Sequence, residues 1–331
     1  MLGKVLPLVA TGVLWVCEST LQPGVAWAKS STGNGCGSGT ELVRVGIGGS
    51  HGQVGISTAR EANPEGPMSF DLGEKGEIYV LDQVNNRIQV FLHNSLVQRI
   101  PIPGDGVFMD VAVLPGGKVA LLDNLVKKAL YVLDSGGRVL GVLPLSGRGI
   151  PLAEEVVGIY AQLQGKWGGI WADLGDRSVR LAGLDGSPDL QRVSVPGRFS
   201  PDGKRVLRAE RLGDKTVAVY RSEEEKFSQW REHVLSLEGF VESIWELRED
   251  SAGRIFLALG LLDEKDSPVN AVVVVDPGGK PLGRVDLCVT DMPHEIHRSI
   301  RISPQGEIFQ MGLDKGGFFL KRFSVAGQGR K

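Results

Sequence analysis

The sequence predicts an all-β fold, a six-bladed β-propeller closed by an N-terminal strand. Three observations predict it. The stretch from Gly66 to Phe91 reads as short strands: Phe70 and Leu72 alternate, Ile78 to Leu81 is an apolar run, and Ile88, Val90 and Phe91 follow a polar turn. Runs of this length bounded by Gly, Asn and Asp are strand and turn signals, not helix signals. A glycine leading into an apolar strand then recurs at Gly76, Gly117, Gly165, Gly203, Gly253 and Gly306, at intervals of 41, 48, 38, 50 and 53 residues. Repeats of roughly 40–50 residues, each with several short strands, are propeller blades. Finally, Glu41 to Ile47 is a clean strand with no partner near it, while the last copy is one strand short. Pairing the two would close the ring and remove an open edge.

The chain divides as a signal peptide over 1–28, a flexible Gly/Ser-rich segment over 29–40, the propeller over 41–326 and a polar tail over 327–331. The signal reading rests on Lys4, the apolar stretch from Val5 to Val16 and the small-x-small site Ala26-Trp27-Ala28. That stretch is too short to span a bilayer as a helix, so export to a periplasmic or extracellular space is expected and a membrane span is not. A net charge of -2 over 331 residues gives no basic footprint for nucleic acid. Cys17 leaves with the signal. Cys36 and Cys288 remain, and an oxidising compartment favours a bridge between them, with two unpaired thiols as the alternative.

Blade one is the Gly66 unit, entered through a polar connection from Gly48 to Asn63. Blade two runs through Val111, Val113, Val119 to Leu122, Leu130 to Leu133 and Val139 to Leu145, turning at Asp134-Ser-Gly-Gly. Blade three covers Glu154 to Val195 with an Asp185-Gly186 turn and is the least regular. In blade four, Arg221 to Lys226 reads as a solvated hairpin tip. Blade five holds Val272 to Val275, an Asp276-Pro-Gly-Gly turn and Leu282 to Leu287. Blade six offers Ile308 to Met311 and Phe318 to Phe323. Trp167, Trp171, Trp230 and Trp245 read as core fillers.

Pro67, Gly76, Ile78 to Val80, Asp82, Asn86, Arg87, Ile88 and Phe91 together resemble an NHL repeat. Phe199 to Leu207 is similar to the Ser-Pro-Asp-Gly turn of TolB-like propellers. The resemblance implies six blades. It implies no single function, because propellers host binding modules, lactonases and lyases alike.

Counting eleven residues back from each marker glycine gives Glu65, Gly106, Glu154, Arg192, Glu242 and Glu295. Such positions are expected at the mouth of the central channel, where carboxylates repel one another unless a cation or an arginine compensates. Arg192 and Arg298 are the candidate counter-charges, with His297 beside them. The positions then form a self-compensated polar plug or a site for Ca²⁺ or another divalent cation, or they are solvated loop glutamates with no common target. Glu65-Gly66-Pro67 also resembles the opening metal-ligand motif of gluconolactonase-like propellers, in which the cation polarises a lactone carbonyl. The other ligand motifs of that family are missing. His294 and His297 are three apart in an extended segment, which points them to opposite faces, unlike helical zinc ligands. Asp82, Asn85, Asn86 and Arg87 read as turn chemistry. The expectation is therefore an exported, monomeric binding or protein-interaction module without a cofactor, taking a protein or small-molecule ligand on a propeller face or in the channel. The alternative is a metal-dependent lactonase or esterase.

Overall fold

The structure, a computed structural model, describes residues 39–58, 63–290 and 292–325. The expected signal peptide, Cys36 and the polar tail lie outside them. The described residues form 24 strands and no α-helix. β1 (Thr40–Val45) comes first. Blade one is β2 (Ser69–Leu72), β3 (Ile78–Asp82), β4 (Arg87–Leu92) and β5 (Ser95–Pro101). Blade two is β6 (Asp110–Val113), β7 (Val119–Asp123), β8 (Ala129–Leu133) and β9 (Val139–Pro144). Blade three is β10 (Gly158–Gln162), β11 (Gly169–Asp173), β12 (Ser178–Ala182) and β13 (Ser194–Val195). Blade four is β14 (Arg198–Phe199), β15 (Val206–Gly213), β16 (Thr216–Glu223) and β17 (Lys226–Ser236). Blade five is β18 (Phe240–Glu249), β19 (Ile255–Leu262), β20 (Pro268–Val275) and β21 (Pro281–Asp286). β22 (Ile300–Ile302), β23 (Ile308–Asp314) and β24 (Gly317–Phe323) make blade six, and β1 is its fourth strand. The ring therefore closes as the sequence predicts.

The marker glycine has a conformational cause. Each of the six sits in the turn between the first two strands of its blade at positive φ, from +71° at Gly203 to +86° at Gly76. Side-chain-bearing residues rarely adopt that region, so the repeat is visible in sequence because its turn needs glycine. Aspartates organise many of the other hairpins. Asp134, Asp185, Asp263, Asp276 and Asp314 each accept the backbone N–H two residues on.

Closure is a full strand pairing. β1 runs antiparallel to β24 from Thr40 opposite Arg322 to Val45 opposite Phe318, and Val43 is completely buried. The turn residues of blade one reinforce it. Asp82, buried, accepts from Gly55 N–H at 2.8 Å, Arg87 Nε at 2.8 Å and Gln89 Nε2 at 3.0 Å. Arg87 in turn donates to the carbonyls of Gly49, Ser50 and Gln53. This cluster staples the segment after β1 onto blade one, a role beyond local turn chemistry.

Each neighbouring pair of blades shares one apolar cluster, so the core lies between sheets. The blades differ in height. β2, β6 and β10 begin at the level of Ser69, Asp110 and Gly158, whereas β18 begins at Phe240, six residues before the equivalent Glu246. Two bulges take up two of those residues, so the extra stretch spans only four residue steps of β19, from Leu262 to Ala258. At about 3.3 Å per residue, blade five stands roughly 13 Å taller on that side. We call the side where the innermost strands begin the upper face.

Candidate functional site

The innermost strands carry their charges into the channel. Seven residues before the marker glycine lie Asp110 and Glu246, and five before it lie Asp71, Arg198, Arg248 and Arg301. Arg298 precedes β22, and Asp173 ends β11. These eight side chains form one network. Arg198 Nη1 lies 3.2 Å from Asp173 and 3.1 Å from Glu246. Arg248 Nε lies 3.1 Å from Glu246. Arg298 reaches Asp110 at 3.2 Å and Glu246 at 3.7 Å. Arg301 reaches Asp110 at 3.0 Å, Asp71 at 3.3 Å and Glu246 at 3.9 Å. Every blade contributes, and four carboxylates meet four guanidiniums, so the network is formally neutral.

Burial would raise the carboxyl pKa values here, but the arginines outweigh it. Asp110 is held well below the usual range by Arg298 and Arg301, with help from His297 and the Ser69 hydroxyl. Glu246 is brought down to about 2 by Arg198, Arg298, Arg248 and Arg301 against its burial. Burial lowers Arg298, yet Asp110 and Glu246 raise it above its ordinary value. Asp110, Glu246 and Arg298 therefore stay charged at neutral pH.

Above the network the channel opens into a cavity of about 860 Å³ on the upper face. Arg198, Glu246 and Arg298 are among its lining residues, with His294, His297 and Trp245. Burial depresses the pKa of both histidines, for His297 against the pull of Asp110, so both are neutral at pH 7. Their Nε2 atoms are buried without a hydrogen-bond partner, as are Glu246 Oε2 and Arg198 Nη2. Trp245 is 39% exposed and rests on Gly260 of the neighbouring strand. It is the extra residue of a β-bulge, since Ile244 pairs with Leu259 and Glu246 with Ala258. A bulge re-aims a side chain, which is why this tryptophan leaves the core that the sequence expects for it. Arg208 also lines the cavity, its guanidinium 4.5 Å from the Tyr220 ring centre and 5.3 Å from that of Trp230.

On the lower face the network borders a second cavity of about 150 Å³ lined by Arg198, Arg248, Arg301, Tyr160 and Gln164 among others. Burial raises the Tyr160 phenol to about 12.

Of the seven residues expected at the channel mouth, Glu154, His297 and Arg298 line the upper cavity. Only Arg298 joins the network. Glu154 is exposed and held by Lys128 at 2.5 Å. Glu65 and Glu295 meet through a backbone bridge, and both are exposed. Glu242 is exposed on the raised part of β18. Arg192 turns outward to the carbonyls of Pro144 and Leu145 in blade two. A compensated network does occupy the channel, but its acids are Asp71, Asp110, Asp173 and Glu246. Except at Glu242, which lies on the bulged start of β18, the offset of eleven falls in inter-blade connections of unequal length, so it does not stay in register. Offsets of five and seven fall inside the strands, where antiparallel pairing holds register, and would have found most of the network.

Among the described residues, no group of three or more His, Cys, Asp or Glu is placed to hold a metal ion, and no helix is long and apolar enough to cross a membrane. Cys288 is disulfide-bonded, and both other cysteines lie outside the described residues.

The sequence matches no protein family and no curated protein. Solved structures share its fold. Hydrazine synthase from Kuenenia stuttgartiensis is 11% identical with a TM-score of 0.50, covering 77% of this chain and 78% of that one. A member of the DUF4221 family from Bacteroides vulgatus is 9% identical with a TM-score of 0.50, covering 89% of this chain and all 100% of its own. Virginiamycin B lyase from Staphylococcus aureus is 11% identical with a TM-score of 0.41, covering 78% of this chain and 95% of that one. At these identities the likeness concerns the fold alone: this chain is a six-bladed β-propeller.

Proposed function

We propose that the protein is an exported, NHL-like propeller that acts as a binding module, with its ligand seated in the upper cavity. The observation that carries this reading is the cavity itself. Its volume of about 860 Å³ lies within the usual range for ligand pockets, roughly 300–1,000 Å³. It combines an exposed indole with a rigid charged floor and neutral histidines. Around it, Leu125, Val126, Leu152 and Val157 are exposed on connections at the same face, a rim suited to a partner with apolar groups. The signal pattern of residues 1–28 supports export.

Ligand screening with tryptophan fluorescence tests this. A ligand of the cavity perturbs Trp245 emission, and Trp245→Ala weakens its binding by about tenfold, as expected for an aromatic anchor. Binding that Trp245→Ala leaves unchanged would place the ligand elsewhere. The same preparation, assayed for lactone hydrolysis with Ca²⁺ and with chelator, tests the lactonase alternative. Cation-dependent turnover lost in Glu65→Ala would displace the binding reading.

A further inference from the structure

The channel charges are layered. Asp110 and Glu246, seven residues before their marker glycines, lie nearer the upper face. Arg248 and Arg301, five residues before theirs, lie nearer the lower face, with Asp71 at the same level. Arg198 lines both cavities. The network is neutral as a whole, yet its lower side is predominantly cationic, and that side borders the small cavity.

The acids at the lower cavity are already engaged. Asp71 is paired with Arg301, and Glu249 with Arg221 at 2.8 Å. The guanidiniums are not saturated. The Arg301 side chain is only 4% exposed and its Nη1 has no hydrogen-bond partner. The Arg198 side chain is 7% exposed, and its Nε and Nη2 have none. Arg248 makes one hydrogen bond, from Nε to Glu246, which leaves both terminal nitrogens free among the described residues. Glu246 is shared among Arg198, Arg248, Arg298 and Arg301. Asp173, Asp110 and Asp71 also pair with the others, whereas Arg248 has Glu246 alone among the described residues. A carboxylate has about four lone-pair sites against five N–H donors on each guanidinium, so donors outnumber acceptors. The crowding registers on Arg248, whose pKa burial and the neighbouring Arg198 lower to about 10.

We infer that the lower cavity is a binding site for a small oxyanion of phosphate or sulfate size, held by Arg248 and Arg301 with Arg198 behind them. An oxyanion supplies the acceptors that the three side chains lack and relieves their mutual repulsion. A volume of about 150 Å³ takes such an anion with a few waters and excludes a nucleotide. The site shares Arg198 with the upper cavity but opens on the other face, and it does not depend on the ligand read above.

Titration calorimetry of the full chain with inorganic phosphate, and with sulfate, against chloride at equal ionic strength decides the matter. Saturable binding of phosphate and sulfate beyond chloride is expected. Arg248→Gln weakens it at least tenfold, whereas Arg138→Gln, which removes the same charge from an exposed outer hairpin, leaves it unchanged. Gln164→Glu keeps the proposal open to refutation should Arg248→Gln fail to fold, because Gln164 is exposed at the cavity and outside the network. The added carboxylate weakens binding several-fold. A phosphate monoester, glycerol phosphate, distinguishes the source. Tighter binding than inorganic phosphate means that the anion is carried on a larger molecule, and weaker binding means that the free anion is the ligand. Binding no stronger than chloride overturns the inference, as does binding that neither Arg248→Gln nor Gln164→Glu weakens.

Discussion

Glu246 shows how much one residue is asked to do. It lies at the convergence of four guanidiniums, with its side chain 1% exposed. Removing one partner of a buried pair leaves the others uncompensated, at about 3–5 kcal/mol. Glu246→Gln is therefore expected to lose that much stability at pH 7. The pH dependence has a definite sign. The folded-state value of about 2 lies below the ordinary 4.5, so the unfolded chain binds more protons between them. Stability from this group is complete above pH 4.5 and is lost as pH falls toward 2. Thermal melts across that window should fall steeply for the wild type and less steeply for Glu246→Gln. Parallel curves would remove Glu246 from the account. Trp245 makes the complementary point. Nothing in its neighbours marks it as exposed, since the bulge that turns it out depends on how β18 pairs with β19.

At the scale of the element, the turn and the strand edge decide most. The marker glycines share one backbone conformation but not one environment. A Cβ on Gly76, at φ +86°, would meet nothing within 4 Å. On Gly306, at φ +81°, it would lie 2.5 Å from Arg254 Nη2, 2.7 Å from Asp250 Oδ2 and 2.8 Å from the Phe256 ring. Gly76→Ala should therefore lose only the left-handed backbone term, about 1–2 kcal/mol. Gly306→Ala should lose that and an overpacking term of about 1–3 kcal/mol. Denaturant midpoints of the two variants compare them directly, and equal losses would mean that crowding plays no part. The closing strand belongs to the same scale. β1 was legible because its alternation needed a partner and blade six lacked a strand. The fourth strand of blade one, β5, was not legible. Only Ile100 of its seven residues is buried, and its apolar residues Leu96, Val97 and Ile100 do not alternate, so it carries no strand pattern.

For the whole molecule, the seam between blades five and six is where Cys288 sits. Its backbone N–H donates to Gln310 Oε1 at 2.9 Å, and Gln310 Nε2 donates to its carbonyl at 2.7 Å. We expect its disulfide partner to be Cys36, which would tie the segment before β1 to the far side of the blade that β1 closes. Reduction should then destabilise the ring by about 2–5 kcal/mol. Mapping of unreduced peptides should recover Cys36 linked to Cys288. Free Cys36 thiol in the unreduced protein would refute the pairing. The ring itself is unequal. Blades four and five have strands of up to 11 residues, against four to seven in blade one. That inequality walls the upper cavity on one side, and a count of repeats does not contain it.

By itself the sequence determined the number of blades, the closing strand and most hairpins. Each is local: a turn that needs φ > 0 selects glycine, a strand face selects alternation, and an Asp caps its own turn. What the channel holds was decided only by the tertiary structure. Asp110 and Arg301 are 191 residues apart and meet at 3.0 Å because two innermost strands converge on one axis. The Glu65 ring looked plausible in sequence and failed because inter-blade connections vary in length. Register persists along a paired strand and is lost across a loop, so the residues brought together lie inside strands, Arg298 just before β22 excepted.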